Sequence, residues 1–272
     1  MRKITAVLVA LTLALGMSGC GANQNNPTEP AGPTEPPYKT VYVRASITQE
    51  FGSAVSRTDY VFDEADRVTE VIVYTNDQET KRYDVECDAY GNYTHWTSDG
   101  STMEYTYDAA GHSLGRAIYN DGVLVSSTTY VWENDLQTSV ITQMAGQDMT
   151  QKVLMTYDSA GNLLRQDSYS AETLVNYSIY AYDDQGRVAT MTTYQPDGSL
   201  YSIGKYGWES KNLTITTTGP DGSVMQTAVR TYDDAGNLLT HTVFNALGDQ
   251  VSKETHTWKE LRVDPDCPRA SV

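Results

Sequence analysis

Residues 153–164 read VLMTYDSAGNLL, and residues 228–239 read AVRTYDDAGNLL. The chain writes T-Y-D-x-A-G-N-L-L twice, and that repetition decides the fold. Internal repeats reset every other reading of a chain, so they come first. With the Tyr of Y-D-x-x-G-N-L as marker, clear copies start at Tyr107, Tyr157, Tyr182 and Tyr232. Weaker copies start at Phe62 (FDEADRV) and Cys87 (CDAYGNY), and Trp132, Trp208 and Trp258 fill the remaining gaps with a shorter turn. The markers thus recur at a nearly constant interval from Phe62 to Trp258, with one shortened step between Cys87 and Tyr107.

The chemistry of one unit follows from its residues. Asp108, Asp158, Asp183 and Asp233 stand directly after the marker, where a carboxylate can accept from backbone N–H groups just ahead and fix a turn. Gly111, Gly161, Gly186 and Gly236 stand at the fourth position after it and supply the positive φ of a type I turn plus bulge. Alternating stretches follow, such as VTEVIVY at 68–74 and VATMTTY at 188–194, and period two with Val, Thr and Tyr means strand. A second turn appears as Asp-Gly at 99–100, 121–122, 197–198 and 221–222, a strong hairpin signal between alternating runs.

Each unit is therefore two strands and two turns. About eight units, each of roughly 25 residues, fall in the range of repeat architectures. They predict an all-β fold, an antiparallel meander of some sixteen strands in one twisted or curled sheet. Two aromatic columns share the register: Tyr60, Tyr105, Tyr130, Tyr180 and Tyr206 at the second position before the marker, and Tyr74, Tyr119, Tyr169, Tyr194 and Phe244 at the twelfth after it. Positions two apart share a face, so the first column and the marker project together as aromatic ladders. The ladders serve either as inner packing or as an exposed binding strip.

At these residues the chain resembles the YD-repeat, or RHS-repeat, family over about residues 60–258. The resemblance implies an RHS-like strip of hairpins and a cell-surface setting; in large members the strip spirals into a hollow shell around a C-terminal toxin. Only KELRVDPDCPRASV follows Trp258, so the expectation here is a short member without a toxin domain.

The ends point outside the cytoplasm. Residues 1–19 read as a secretory signal, with Arg2 and Lys3 before an apolar run too short for a membrane span. Met17-Ser18-Gly19-Cys20 resembles a bacterial lipobox, which implies a lipid on Cys20. Residues 20–37 form the lipidated cysteine and a Pro-rich tether, 38–263 the repeat domain and 264–272 a tail. The tether holds five of the nine prolines and reaches up to ~50 Å if extended. The expected location is the bacterial cell envelope, with the membrane as partner through the lipid.

The net charge is −16, and residues 1–19 hold two of the 19 basic residues and none of the 35 acidic ones, so the mature balance is −18. That disfavours nucleic acid, which needs clustered Lys and Arg. Tyr is heavily used, 20 against 3 Phe, which suits half-wet strand surfaces. Cys87 and Cys267 either pair outside the cytoplasm or stay apart, with Cys87 filling a marker position.

No catalytic or phosphate-binding motif occurs, and His95, His112, His241 and His256 lie at no metal-ligand spacing. The paired carboxylates Asp183-Asp184 and Asp233-Asp234 suit turns without calcium. The reading is thus a non-enzymatic, cofactor-free and metal-free surface binding module for carbohydrate or cell-wall polymer. Candidate ligand contacts are Trp96, Trp132, Trp208 and Trp258 with Tyr119, Tyr169 and Tyr194. The alternatives are a structural or protein-interaction envelope lipoprotein with no small ligand, and a remnant or partner of an RHS-type toxin system.

Overall fold

The computed structural model describes residues 38–146 and 150–267; the expected signal, Cys20, the tether and the end of the tail lie outside them. The described chain is all β. Its first nine strands are β1 (Lys39–Phe51), β2 (Ala54–Phe62), β3 (Val68–Thr75), β4 (Gln78–Cys87), β5 (Tyr93–Ser98), β6 (Ser101–Tyr107), β7 (Ser113–Asn120), β8 (Val123–Glu133) and β9 (Leu136–Met144). The second nine are β10 (Thr150–Tyr157), β11 (Leu163–Ser170), β12 (Thr173–Tyr182), β13 (Val188–Tyr194), β14 (Leu200–Glu209), β15 (Asn212–Thr218), β16 (Val224–Tyr232), β17 (Leu238–Asn245) and β18 (Gln250–Val263). Each pairs antiparallel with its neighbour in sequence, as the repeat predicts.

Among the described residues there are eighteen strands, not the expected sixteen or so, and the curled sheet closes on itself: β1 also pairs with β18, so that the meander forms a β-barrel. The reason lies in the ends of the repeat. Every marker strand from β2 to β16 is followed by a return strand, but the last marker, Trp258 on β18, has none after it. β1, which precedes the first marker, takes that place. Its register runs from Lys39↔Val263 to Glu50↔Lys253 with a bulge at Ala45. The ninth unit is thus assembled from both termini of the domain, and closure removes the two unpaired edges that an open sheet would expose.

The marker turns behave as the residues require. In the turn after Tyr157, the amides of Ala160 and Asn162 donate to Asp158 Oδ1 at 2.9 and 2.8 Å, and Asn162 Nδ2 donates to Oδ2 at 2.9 Å. Asp63, Asp88, Asp108, Asp183 and Asp233 repeat the pattern, with Arg67, Asn92, His112, Arg187 and Asn237 returning a side chain to the second oxygen. Gly161 and Gly236 sit at φ +86° and +87°, where a Cβ is strained. Aspartate and glycine of the motif are therefore fully used by the turn.

The marker side chain has its own task. Trp132 Nε1 donates to the Ser113 carbonyl at 2.8 Å, the Tyr157 hydroxyl to Gln137 at 2.7 Å, Tyr182 to Leu163 at 2.8 Å, Trp208 Nε1 to Val188 at 3.0 Å and Trp258 Nε1 to Leu238 at 2.8 Å. Each acceptor lies at the start of the strand that follows the preceding marker's turn. The ring fills space while its N–H or O–H pins one unit to the one before, for about 1 kcal/mol per bond. Cys87 keeps the function with a thiol, Sγ lying 3.3 Å from the Val68 carbonyl. Phe62, the first marker, carries no donor.

Side chains alternate between a covered and an exposed face, as in β14, where Ser202 and Gly204 are buried while Tyr201, Lys205 and Gly207 are exposed. The covered face is concave. Tyr60 on β2 and Trp96 on β5 hold their ring centres 6.5 Å apart although two strands lie between them, which inward curvature permits. One core cluster centres on Val68, Val71, Val85 and Tyr93 around Trp96, a second on Val140, Met155 and Leu163. The outward face carries Asp59, Glu70, Arg82, Asp84, Glu104, Arg165, Asp167, Lys205 and Lys253, with Arg82 paired to Glu70 and Glu79 and Arg165 to Asp167. A barrel that crosses a bilayer presents an apolar band there; this one presents charge.

Candidate functional site

The structure divides the seven aromatic candidates. Trp96, Trp132, Trp208 and Trp258 face the inside of the barrel, whereas Tyr119, Tyr169 and Tyr194 face outward. No single surface joins them. Trp96 is enclosed by Tyr60, Tyr83, Tyr93 and Tyr105, with ring centres 5.4–6.5 Å away. Trp132, Trp208 and Trp258 spend their indole N–H on the backbone pins described above. His112, placed in a turn by the repeat, both bonds Asp108 and stacks on Trp132 at 4.6 Å.

Outside, Tyr194 stacks on Tyr177 at 5.1 Å, and Arg165 lies 4.1 Å from the Tyr177 ring centre. Lys152 covers Tyr169 at 5.6 Å, and Arg57 covers Tyr74 at 4.4 Å. These rings are half-buried under cations rather than bare. Inside, burial raises the Tyr105 and Tyr180 hydroxyls, each to about 12, so both stay neutral donors.

The repeat then exposes a site that motif searching misses. The side chain at the second position before each marker faces a partner on the next strand. Around the barrel these inward pairs are Tyr60–Val71, Val85–Trp96, Tyr105–Arg116, Tyr130–Val140, Met155–Gln166, Tyr180–Met191, Tyr206–Ile215, Arg230–His241 and His256–Ile47. Eight of them contain an aliphatic side chain, a Met or a Tyr or Trp ring; Arg230–His241 contains none of these. At the fourth position before the marker, the column runs through Thr, Tyr, Met, Val, Ser, Gly and Ala, and Glu254 is its one charged member. The departures from the repeat gather at the closing seam.

There Arg230 (β16), His241 (β17), Glu254 (β18) and Gln49 (β1) stand in one cross-strand row. Gln49 Nε2 donates to Glu254 Oε1 at 2.9 Å. His241 Nδ1 and His256 Nε2 each lie 3.7 Å from Glu254 Oε2, an ion-pair distance rather than a hydrogen bond. The two rings, with help from Gln49, hold the Glu254 carboxyl well below the usual carboxylate range. His256 is 5 % exposed and neither ring nitrogen has a hydrogen-bond partner; the Arg230 Nε is likewise buried and unpartnered. Among the described residues, no group of three or more His, Cys, Asp or Glu is arranged to hold a metal ion.

No disulfide joins Cys87 and Cys267: Cys87 lies on the inner wall, whereas Cys267 follows the last strand, where its carbonyl accepts from Lys39 Nζ at 2.7 Å. A shallow outward recess of about 320 Å³ lies between the turns at 99–100 and 121–122 and is lined by Asp84, Asp99 and Asp121.

No family model and no curated protein matches this chain. Solved structures show distant likeness. The crystal structure titled TcdB2-TccC3-Cdc42 is 15% identical over 70% of this chain and 14% of its own, with a TM-score of 0.23. A porin-like protein from Bacteroides vulgatus ATCC 8482 is 9% identical over 79% of this chain and 98% of its own, with a TM-score of 0.28. A porin-like protein from Bacteroides uniformis ATCC 8492 is 12% identical over 79% and 96%, with a TM-score of 0.26. This chain spans about a seventh of the first of these structures. At such scores the likenesses fix neither family nor activity.

Proposed function

We propose that the chain is a YD-repeat barrel of the bacterial cell envelope, anchored by a lipid on Cys20, and that it binds carbohydrate or a cell-wall polymer on its inner wall. One observation carries this reading. On a wall of Tyr and Trp rings, where Arg116 and Gln166 stand singly opposite Tyr105 and Met155, four polar side chains, Arg230, His241, Glu254 and Gln49, stand together in one cross-strand row with His256 beside them. Sugars need that combination, a ring face for their C–H surface and planar polar groups for their hydroxyls. The repeat explains the rings as packing, but not the polar exception. Saturable binding of the intact chain on a glycan array supports the reading; an array without signal at high protein concentration removes it.

A second reading has its own support. Three of the four Trp have their N–H bonded to backbone, which suits a scaffold with no small ligand that docks another envelope protein. Recovery of one envelope protein in cross-linked pull-downs, with a silent glycan array, would select it over carbohydrate binding.

A further inference from the structure

Resting on the carbohydrate reading, we infer that the seam cluster of Arg230, His241, Glu254 and His256 is a binding site for a sugar that carries a carboxylate, such as a uronic acid.

The inference starts from a mismatch of donors and acceptors. Arg230 keeps a buried Nε–H without a partner, and His256 has two ring nitrogens without one although the residue is more than nine-tenths buried. The acceptor at hand, Glu254, already takes Gln49 on one oxygen and faces both imidazoles on the other. Buried polar atoms are normally satisfied, and an unsatisfied set points to a missing partner. The missing partner must supply an acceptor to Arg230, and an imidazole in its neutral form has one donor and one acceptor, so His256 suits a hydroxyl, which does both.

Charge narrows the class further. The chain is strongly acidic, yet no carboxylate among the described residues lies within ion-pair distance of Arg230. A guanidinium presents a planar fork that suits a carboxylate. A doubly charged phosphate would sit against Glu254, whereas a singly charged uronate balances Arg230 and leaves Glu254 to accept a sugar hydroxyl. Glu254 keeps 28 % of its side chain exposed and Arg230 is half-buried, so the cluster opens to the inside of the barrel with His256 behind it. The Trp258 ring lies 6.3 Å from His256 and extends the wall beside the site.

The repeat also supplies the controls. Arg230 and His256 occupy positions where five sister units place Tyr, so Arg230→Tyr and His256→Tyr return the wall to its own pattern. The experiment is isothermal titration calorimetry of the full chain with oligogalacturonate, neutral cello-oligosaccharide and inorganic phosphate. The inference expects oligogalacturonate to bind more tightly than the other two, to weaken as salt is raised, and to lose at least tenfold in affinity in either variant while the melting temperature holds or rises. Arg230→Gln and His256→Gln repeat the test if a tyrosine variant fails to fold. Equal binding of the neutral sugar overturns the carboxylate assignment and leaves the carbohydrate reading standing. Oligogalacturonate binding unchanged in all four variants overturns the location. Absence of binding to both sugars overturns the inference, and the glycan array then decides the carbohydrate reading separately.

Discussion

Arg44 on the first strand lies over the Trp258 ring on the last, its guanidinium carbon 5.5 Å from the ring centre, and the two residues are partners in the β1–β18 register. Trp258 also pins its unit to Leu238 on β17. One side chain therefore ties together the three strands at which the barrel closes. Trp258→Phe keeps an aromatic face for the cation but removes the N–H donor together with the pyrrole half of the indole, leaving the Leu238 carbonyl unpaired. The expected loss is about 1–3 kcal/mol in urea unfolding, with the slope unchanged. Tyr157→Phe removes the same bond from an interior unit and should cost a similar amount. No change in either variant would contradict the pin.

The marker glycines test the turn chemistry cleanly. A Cβ on Gly236 would meet no atom within 4 Å, so any loss comes from the backbone at φ +87°. Gly236→Val should destabilise by ~1 kcal/mol or more, and Gly236→Asn by less, because Asn tolerates the left-handed region. Thermal midpoints of the two variants check the order; Val and Asn falling together at the wild-type value would remove the assignment.

Acid should weaken the barrel through its turns. The Asn162 side chain and amide hold the Asp158 carboxyl below the ordinary 3.8, and Arg187 does the same for Asp183. Glu254 is lowered from 4.5 by its histidines. A depressed folded pKa adds stability that is complete above the unfolded value and lost as pH falls through the folded one. The midpoint should thus be flat with respect to these groups from neutrality to about pH 5 and fall below about pH 4. Asp158→Asn should start lower and fall less. A midpoint that rises on acidification through that range would show the carboxylates to be unfavourable.

The cysteines make a simple case. Cys87 sits inside β4 with its thiol on the Val68 carbonyl, and Cys267 follows β18. Reducing agent should leave the melting temperature unchanged, and alkylation after unfolding should label both thiols. A shift with reductant would show that they pair.

Much of this was legible in the residues. The turns could be read because Asp and Gly act within one short segment, and the strands because the period is two. That each marker and the side chain at the second position before it share a face followed from spacing alone; that this face is the inner one did not, because spacing is the same for either side of the sheet. Closure was not legible, because β1 bears no marker and its partnership with β18 is a contact between the two ends of the domain. The outward placement of Tyr119, Tyr169 and Tyr194 escaped because a turn and one extra residue at the start of the return strand, Leu114, Leu164 or Ala189, lie between each of them and its marker and break the period-two count. The seam cluster was hidden for a related reason. Arg230, His241, Glu254 and His256 look scattered until the pairing aligns them, although the substitution of Arg and His into a Tyr column was a signal available from the repeat.

Amide hydrogen exchange over β1 and β18 tests the closed barrel most directly. β1 pairs with β2 from Ser46 on and with β18 as far as Glu50, and β18 pairs with both β1 and β17 over Lys253–Thr255, so amides of Ser46–Glu50 and Lys253–Thr255 should be protected to the level of interior strands such as β12. Fast exchange of alternate amides along one side of either of these segments, with β12 still protected, would mean an open sheet and contradict the account.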